Sequence, residues 1–230
     1  MPAMNTWVPI HDDLRVLEYS FGPGPSNAFA FRGREGWVVM SPPCKVDDSA
    51  YEGFDGGVTA LVATNGFHHL GLRPWKERFP NATLHAHTKA AKRIAKKQKG
   101  LVLDSLDALN EKLPEGTQVV ATPHLRTPDG HVFVSTDAGT YWYTGDTIGN
   151  SALPKNLLFG WLFKATNSGP GYKVNHLILK ILGAKKPLLK KWMLERIEAH
   201  PLAGVIPGHG DTVLEADAHT RTQHLLETEI

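Results

Sequence analysis

The chain has 230 residues, 41% of them apolar and 21% charged, a composition that excludes disorder and fibrous repeats and supports a sizeable core. Lysine and arginine total 25 against 23 acids, a formal net charge of +2, so no global field draws the chain to nucleic acid or membrane. The single cysteine, Cys44, forbids an internal disulfide and a cysteine-rich zinc module, whereas histidine is abundant, at 12.

In chain order, residues 1–10 lack the basic flank and apolar run of a signal peptide, and no stretch approaches the roughly 20 apolar residues that span a bilayer. A soluble, cytoplasmic protein is expected. Short β-rich runs at 14–19, 28–32, 37–40 and 58–63 are punctuated by glycine and proline, as in Ser41-Pro42-Pro43. The run 58–63 is almost wholly apolar, as a strand covered on both faces should be, and breaks at Thr64-Asn65-Gly66 into His68-His69. A helix over 73–79, a strand over 83–86 and a helix over 89–99 follow, the last capped by Thr88 and ended by Gly100. Strands are predicted at 119–122, 131–135 and 140–144. The aromatic, glycine-rich stretch 157–174 reads as an irregular insertion or broken helix. Pro187 opens a helix whose Leu189, Trp192, Met193 and Ile197 follow the 3.6-residue period, and His200-Pro201 closes it. A strand over 203–206 empties into Pro207-Gly208-His209-Gly210-Asp211, and a helix over 215–227 ends the chain. One α/β domain over residues 1–230, with helices outside two facing sheets, is the expected architecture.

Four polar clusters each follow a predicted strand: Asn65 to His69, Thr122-Pro123-His124, Thr144-Gly145-Asp146-Thr147, and Pro207 to Asp211. Strand ends at one sheet edge converge, which places imidazoles and a carboxylate to meet around one centre. Nitrogen and oxygen donors of this kind suit zinc, iron or manganese. His85, His87, His131, His176, His200, His219 and His224 have no partner motif and read as surface or core histidines. The helix bearing Lys89, Lys92, Arg93, Lys96, Lys97 and Lys99 contains no acid and reads as a solvated outer helix whose lysine stems cover the rim. Leu157 to Phe163, with Tyr172, read as a pocket wall or as ordinary core.

With Asn27 before a strand, the His68-His69 strand end, the Thr-Pro-His segment, Thr144-Gly145-Asp146 and Pro207-Gly208-His209-Gly210 in this order, the chain resembles the metallo-β-lactamase-fold superfamily over residues 27–215. The resemblance implies an αββα sandwich that binds one or two metals at one sheet edge, most often as a hydrolase. Laying the superfamily's His-x-His-x-Asp-His motif on residues 64–69 puts Thr64 and Gly66 at its first two histidines and His68 at its aspartate, so only His69 agrees. Thr122-Pro123-His124 is also one residue shorter than the usual Thr-Pro-Gly-His. One metal position thereby loses most of its ligands. The resemblance implies His69, Asp146 and His209 as ligands of a single divalent ion, zinc foremost with iron or manganese as alternatives. His68 and His124 are further ligands or the general acid or base. The expected function is a mononuclear metal-dependent hydrolase of a small molecule. An iron-dependent oxygenase and a metal-free, catalytically silent binding domain are the alternatives. Neither membrane nor nucleic acid is expected as a partner.

Overall fold

Alternation of side chains along the strands sets the layers. The structure, a computed structural model, describes residues 6–21 and 24–230. Its strands are β1 (Val8–His11), β2 (Leu14–Phe21), β3 (Gly24–Arg32), β4 (Trp37–Met40), β5 (Val58–Ala63), β6 (Thr83–Ala86), β7 (Thr117–Ala121), β8 (Gly130–Thr136), β9 (Gly139–Tyr143), β10 (Ile148–Ser151), β11 (Gly171–Val174), β12 (Leu202–Ile206) and β13 (His209–Gly210). The helices are α1 (Leu72–Arg78), α2 (Thr88–Lys97), α3 (Leu106–Asn110), α4 (Leu157–Ala165), α5 (His176–Leu182), α6 (Lys186–Ala199) and α7 (Ala218–Glu229). β1 to β6 pair in sequence order as one sheet, β12-β9-β8-β7 form a second, and β11-β10-β13 a third.

On the first sheet Val16, Phe29, Val38 and Val62 join a core shared with Val119, Val132, Tyr143 and Ile206 of the second. Their chain neighbours Leu17, Ala28, Val39 and Leu61 turn to the opposite face and pack under Leu72 and Trp75 of α1 and Ala90 and Ile94 of α2. Phe133, Trp142 and Val205 leave the second sheet on its outer face to meet Leu179, Leu189, Met193, Ile197 and Leu226 of α5, α6 and α7. Consecutive strand residues thus serve different cores, and the order of layers is helix, sheet, sheet, helix, the expected αββα sandwich. Each fully buried leucine or valine contributes about 1.5–3 kcal/mol.

Several boundaries differ from the sequence reading for identifiable reasons. Helix α2 begins at Thr88 itself, because the His87 ring accepts from Lys89 N at 3.2 Å and supplies the cap. It stops at Lys97, two residues early. The stretch 157–174 is more regular than expected: Asn156 Oδ1 caps α4 through Leu158 N and Phe159 N, and β11 pairs with β10. No residue of α4 is buried, so core packing does not describe it. The short elements β1, α3 and α5 carry too few periodic positions to be read from sequence.

One buried histidine makes stability depend on pH. The His131 ring lies against Trp142 and Trp192, with Nε2 3.0 Å from Thr147 Oγ1. Burial pushes it down to about 3, against the pull of the Asp146 charge. The folded protein therefore keeps His131 neutral, while the unfolded chain protonates it below about pH 6.5. Stability falls from that pH downward, by about 2 kcal/mol at pH 5 from this residue alone. Urea unfolding at pH 7.5 and pH 5 is expected to show a drop that shrinks by about that amount in His131→Phe. An equal drop in both proteins contradicts this assignment.

Candidate metal centre

The site is built from loops that leave both sheets at one end. β5 releases the chain into Asn65 to Leu70, β9 into Thr144 to Thr147, and β12 into Pro207-Gly208 before β13 begins at His209. Asn65 shapes the first loop: its Oδ1 accepts from Phe67 N at 2.8 Å and His68 N at 3.3 Å, a local turn that swings His68 inward. The second and third loops interlock. Gly208 N donates to Gly145 O at 2.7 Å, and Asn27 N on β3 donates to Gly208 O at 2.8 Å. A Cβ on Gly208 would overlap the Gly145 carbonyl. Gly145 has φ +53° and faces the Asp129 carboxylate, so a side chain there is excluded by backbone conformation and by space. Asn27 Nδ2 ties the His209 loop down by donating to Pro207 O at 2.9 Å and Gly210 O at 2.6 Å.

Three donor groups meet there. Nε2 of His68 and Nε2 of His209 lie 3.0 and 3.1 Å from the same oxygen, Asp146 Oδ1. One donor atom from each residue falls within 4.8 Å of the other two. Among the described residues no second group of three His, Cys, Asp or Glu side chains converges in this way. His68 and Asp146 are buried and His209 is half-buried, so the cluster opens to solvent on the His209 side. His209 Nδ1 sits 2.7 Å from Pro25 O and 3.1 Å from Ser26 Oγ. A carbonyl can only accept, so Nδ1 carries the hydrogen, and Nε2 of a neutral ring turns its lone pair toward the carboxylate. Burial lowers the His209 pKa, but the hydrogen bond and charge of Asp146 outweigh it and raise it: protonated, Nε2 donates to the carboxylate, and neutral, it presents its lone pair beside a carboxylate oxygen, as a metal ligand does. The donor set fits a divalent metal, with the Pro25 carbonyl orienting the ring from behind.

A buried polar network supports Asp146. Asn65 Nδ2 donates to Asp146 Oδ2 at 2.8 Å and to Asp129 Oδ1 at 2.9 Å. Asp146 N donates to Asp129 Oδ2 at 2.6 Å. The Asn65 amide thus bridges two buried carboxylates. Burial works against the charge of Asp146, but the His68 and His209 rings outweigh it and hold that carboxyl well below its usual range. Asp129 moves the other way, raised by burial and then by the negative charge of Asp146. The charge of the pair therefore resides on Asp146, the residue that faces the imidazoles.

Of the residues anticipated from sequence, the structure brings together His68, Asp146 and His209 and leaves His69 and His124 outside. Successive residues of the Asn65 turn point apart, so His69 faces the end of α2. There Gln98 Nε2 donates to its carbonyl and lies 3.0 Å from its Nδ1. Burial and the Arg93 charge lower its pKa. His124 is exposed with φ +62°, and its carbonyl accepts from Lys185 N at 2.9 Å. The shortened Thr-Pro-His segment turns away from the cluster at that residue. Thr64 is not idle either: its Oγ1 lies 3.0 Å from Ser41 Oγ, which accepts from Tyr143 Oη at 3.1 Å beneath the site. Sequence reasoning gave no role to Asn65 or Asp129. The one available signal was the placement of Asp129-Gly130 at the mouth of a strand.

No family model matches the chain, and no curated protein matches it. Solved structures do. A metallo-β-lactamase from Pontibacter korlensis superposes with a TM-score of 0.61 at 15% identity, covering 97% of this chain and 99% of that one. A fragment (1–254) of a protein assigned as diflavin flavoprotein A 5 from Nostoc sp. PCC 7120 gives 0.65 at 14% identity, with 99% and 96% covered. DIM-1 metallo-β-lactamase gives 0.60 at 14% identity, with 98% of both chains covered. The likeness extends over nearly the whole length and lies in the path of the chain rather than in its residues. On that path and the four layers, the protein is a divergent example of the metallo-β-lactamase fold.

Proposed function

We propose that the protein is a mononuclear metal-dependent hydrolase whose ion is held by His68 Nε2, His209 Nε2 and Asp146 Oδ1. The observation that carries this reading is the convergence of two imidazole nitrogens on one carboxylate oxygen, with the far side of His209 committed to a carbonyl. When bound, a divalent ion supplies a Lewis acid and lowers the pKa of its water from about 15.7 toward 7. The chain's own residues hold and orient. Pro25 O fixes the His209 tautomer, Asn65 keeps Asp146 Oδ1 turned toward the rings by binding Oδ2, and Asp129 anchors the Asp146 backbone. Three protein donors leave coordination positions for water and substrate, which a closed structural site would not.

Metal-loaded protein is expected to hydrolyse at least one of p-nitrophenyl acetate, bis-p-nitrophenyl phosphate and nitrocefin, and to lose that activity with a chelator or in His209→Ala. Turnover that survives chelation, or none on any of the three with metal bound, contradicts the hydrolase reading. The same two-histidine, one-carboxylate set also suits the ferrous site of oxygenases, which makes iron the second reading. Metal identity in protein purified without added metal separates the two.

A further inference from the structure

Helix α4 stands apart from every other helix longer than one turn, because it buries none of its nine residues. Leu157 is 91% exposed, Leu158 63% and Trp161 64%; Trp161 stands four residues after Leu157 and three after Leu158, so the three share a face, with Lys164 one turn on. Ile181 and Leu188, in α5 and α6, are exposed as well. Such an apolar surface is costly in water unless something covers it.

The surrounding charge says what covers it. Residues 152–194 hold eight lysines and not one aspartate or glutamate, although the rest of the chain has 17 basic residues against 23 acids. The asymmetry is hidden in a net charge of +2. Lys155 and Lys164 flank or lie on α4, and Thr166, which ends it, shares a surface cleft with Lys180 and Lys186. Of the eight, Lys173 and Lys191 are drawn to acids, Glu229 and Glu195; among the described residues Lys155 and Lys164 form no ion pair.

We propose that α4 seats its apolar face in the interfacial region of an anionic phospholipid bilayer, with Lys155, Lys164, Lys180 and Lys186 against the headgroups. Exposed leucine and tryptophan with lysine on and beside the helix is the composition of an in-plane membrane helix. A second copy of the chain is the poorer occupant, since a two-fold contact through this face sets lysine against lysine. Among the described residues no helix is long and apolar enough to cross a membrane. The sequence expectation of no membrane partner rested on the net charge of +2 and on the want of such a span; a local lysine cluster and an in-plane helix need neither a global charge nor a span.

The test is co-sedimentation of the full chain with phosphatidylcholine vesicles and with vesicles of 70% phosphatidylcholine and 30% phosphatidylglycerol, at low salt. Binding to the anionic vesicles is expected to exceed that to the neutral ones at least tenfold and to fall at least tenfold in 0.5 M salt. A Leu157→Ser, Leu158→Ser, Trp161→Ser variant is expected to lose at least tenfold with its circular dichroism unchanged. Lys155→Glu with Lys164→Glu, which leaves the apolar face intact, is expected to weaken the anionic binding alone. Parent protein remaining in the supernatant with both vesicles overturns the proposal, as does a triple variant that binds like the parent. A parent dimer dissociated by the triple substitution assigns the face to a second copy and overturns it equally.

Discussion

Replacing Asn65 by leucine is expected to lower Tm by on the order of 10 °C while changing side-chain volume little. The amide bridges the Asp129 and Asp146 carboxylates, and its carbonyl holds Phe67 N and His68 N. Leucine leaves two buried carboxyls without their common donor and two backbone donors without their acceptor. Removing one partner from a buried charged network costs about 3–5 kcal/mol, and in a chain of this size each kcal/mol shifts Tm by about 2–4 °C. Calorimetry decides, and a Tm within a few degrees of the parent would show that Asn65 is peripheral.

The second large effect separates two neighbouring histidines. His68→Ala removes one of three donors, and metal affinity is expected to fall at least ~100-fold, beyond the 10–100-fold typical of disturbing a ligand's support. His69→Ala takes away a ring that faces Gln98 and the end of α2, so affinity is expected to stay within about threefold. Competition titrations against a chromophoric chelator measure both. The reverse ranking would restore the sequence-based assignment of His69.

That assignment shows where sequence reading stops. The apolar, β-rich runs punctuated by glycine and proline, 58–63 foremost, are written in residue types, and they place the strands and their ends. Asp146 and His209 follow, because Gly145, Gly208 and Gly210 leave their loops a single close-packed path. Which of two adjacent histidines turns inward depends on a side-chain cap from Asn65 three residues earlier, and a motif aligned by spacing does not encode it. Asp129 is invisible for a similar reason, since its value comes from a neighbour 17 positions away in sequence. The sequence reading passed over the eight lysines of residues 152–194, which stand out only once α4 is seen to bury nothing.

The central claim is that one divalent ion is held among His68, Asp146 and His209. Elemental analysis of the full chain, loaded in turn with zinc, ferrous iron and manganese and then desalted, tests it most directly. One equivalent per chain for at least one of these metals is the predicted result; two equivalents, or none with any of the three, would contradict it.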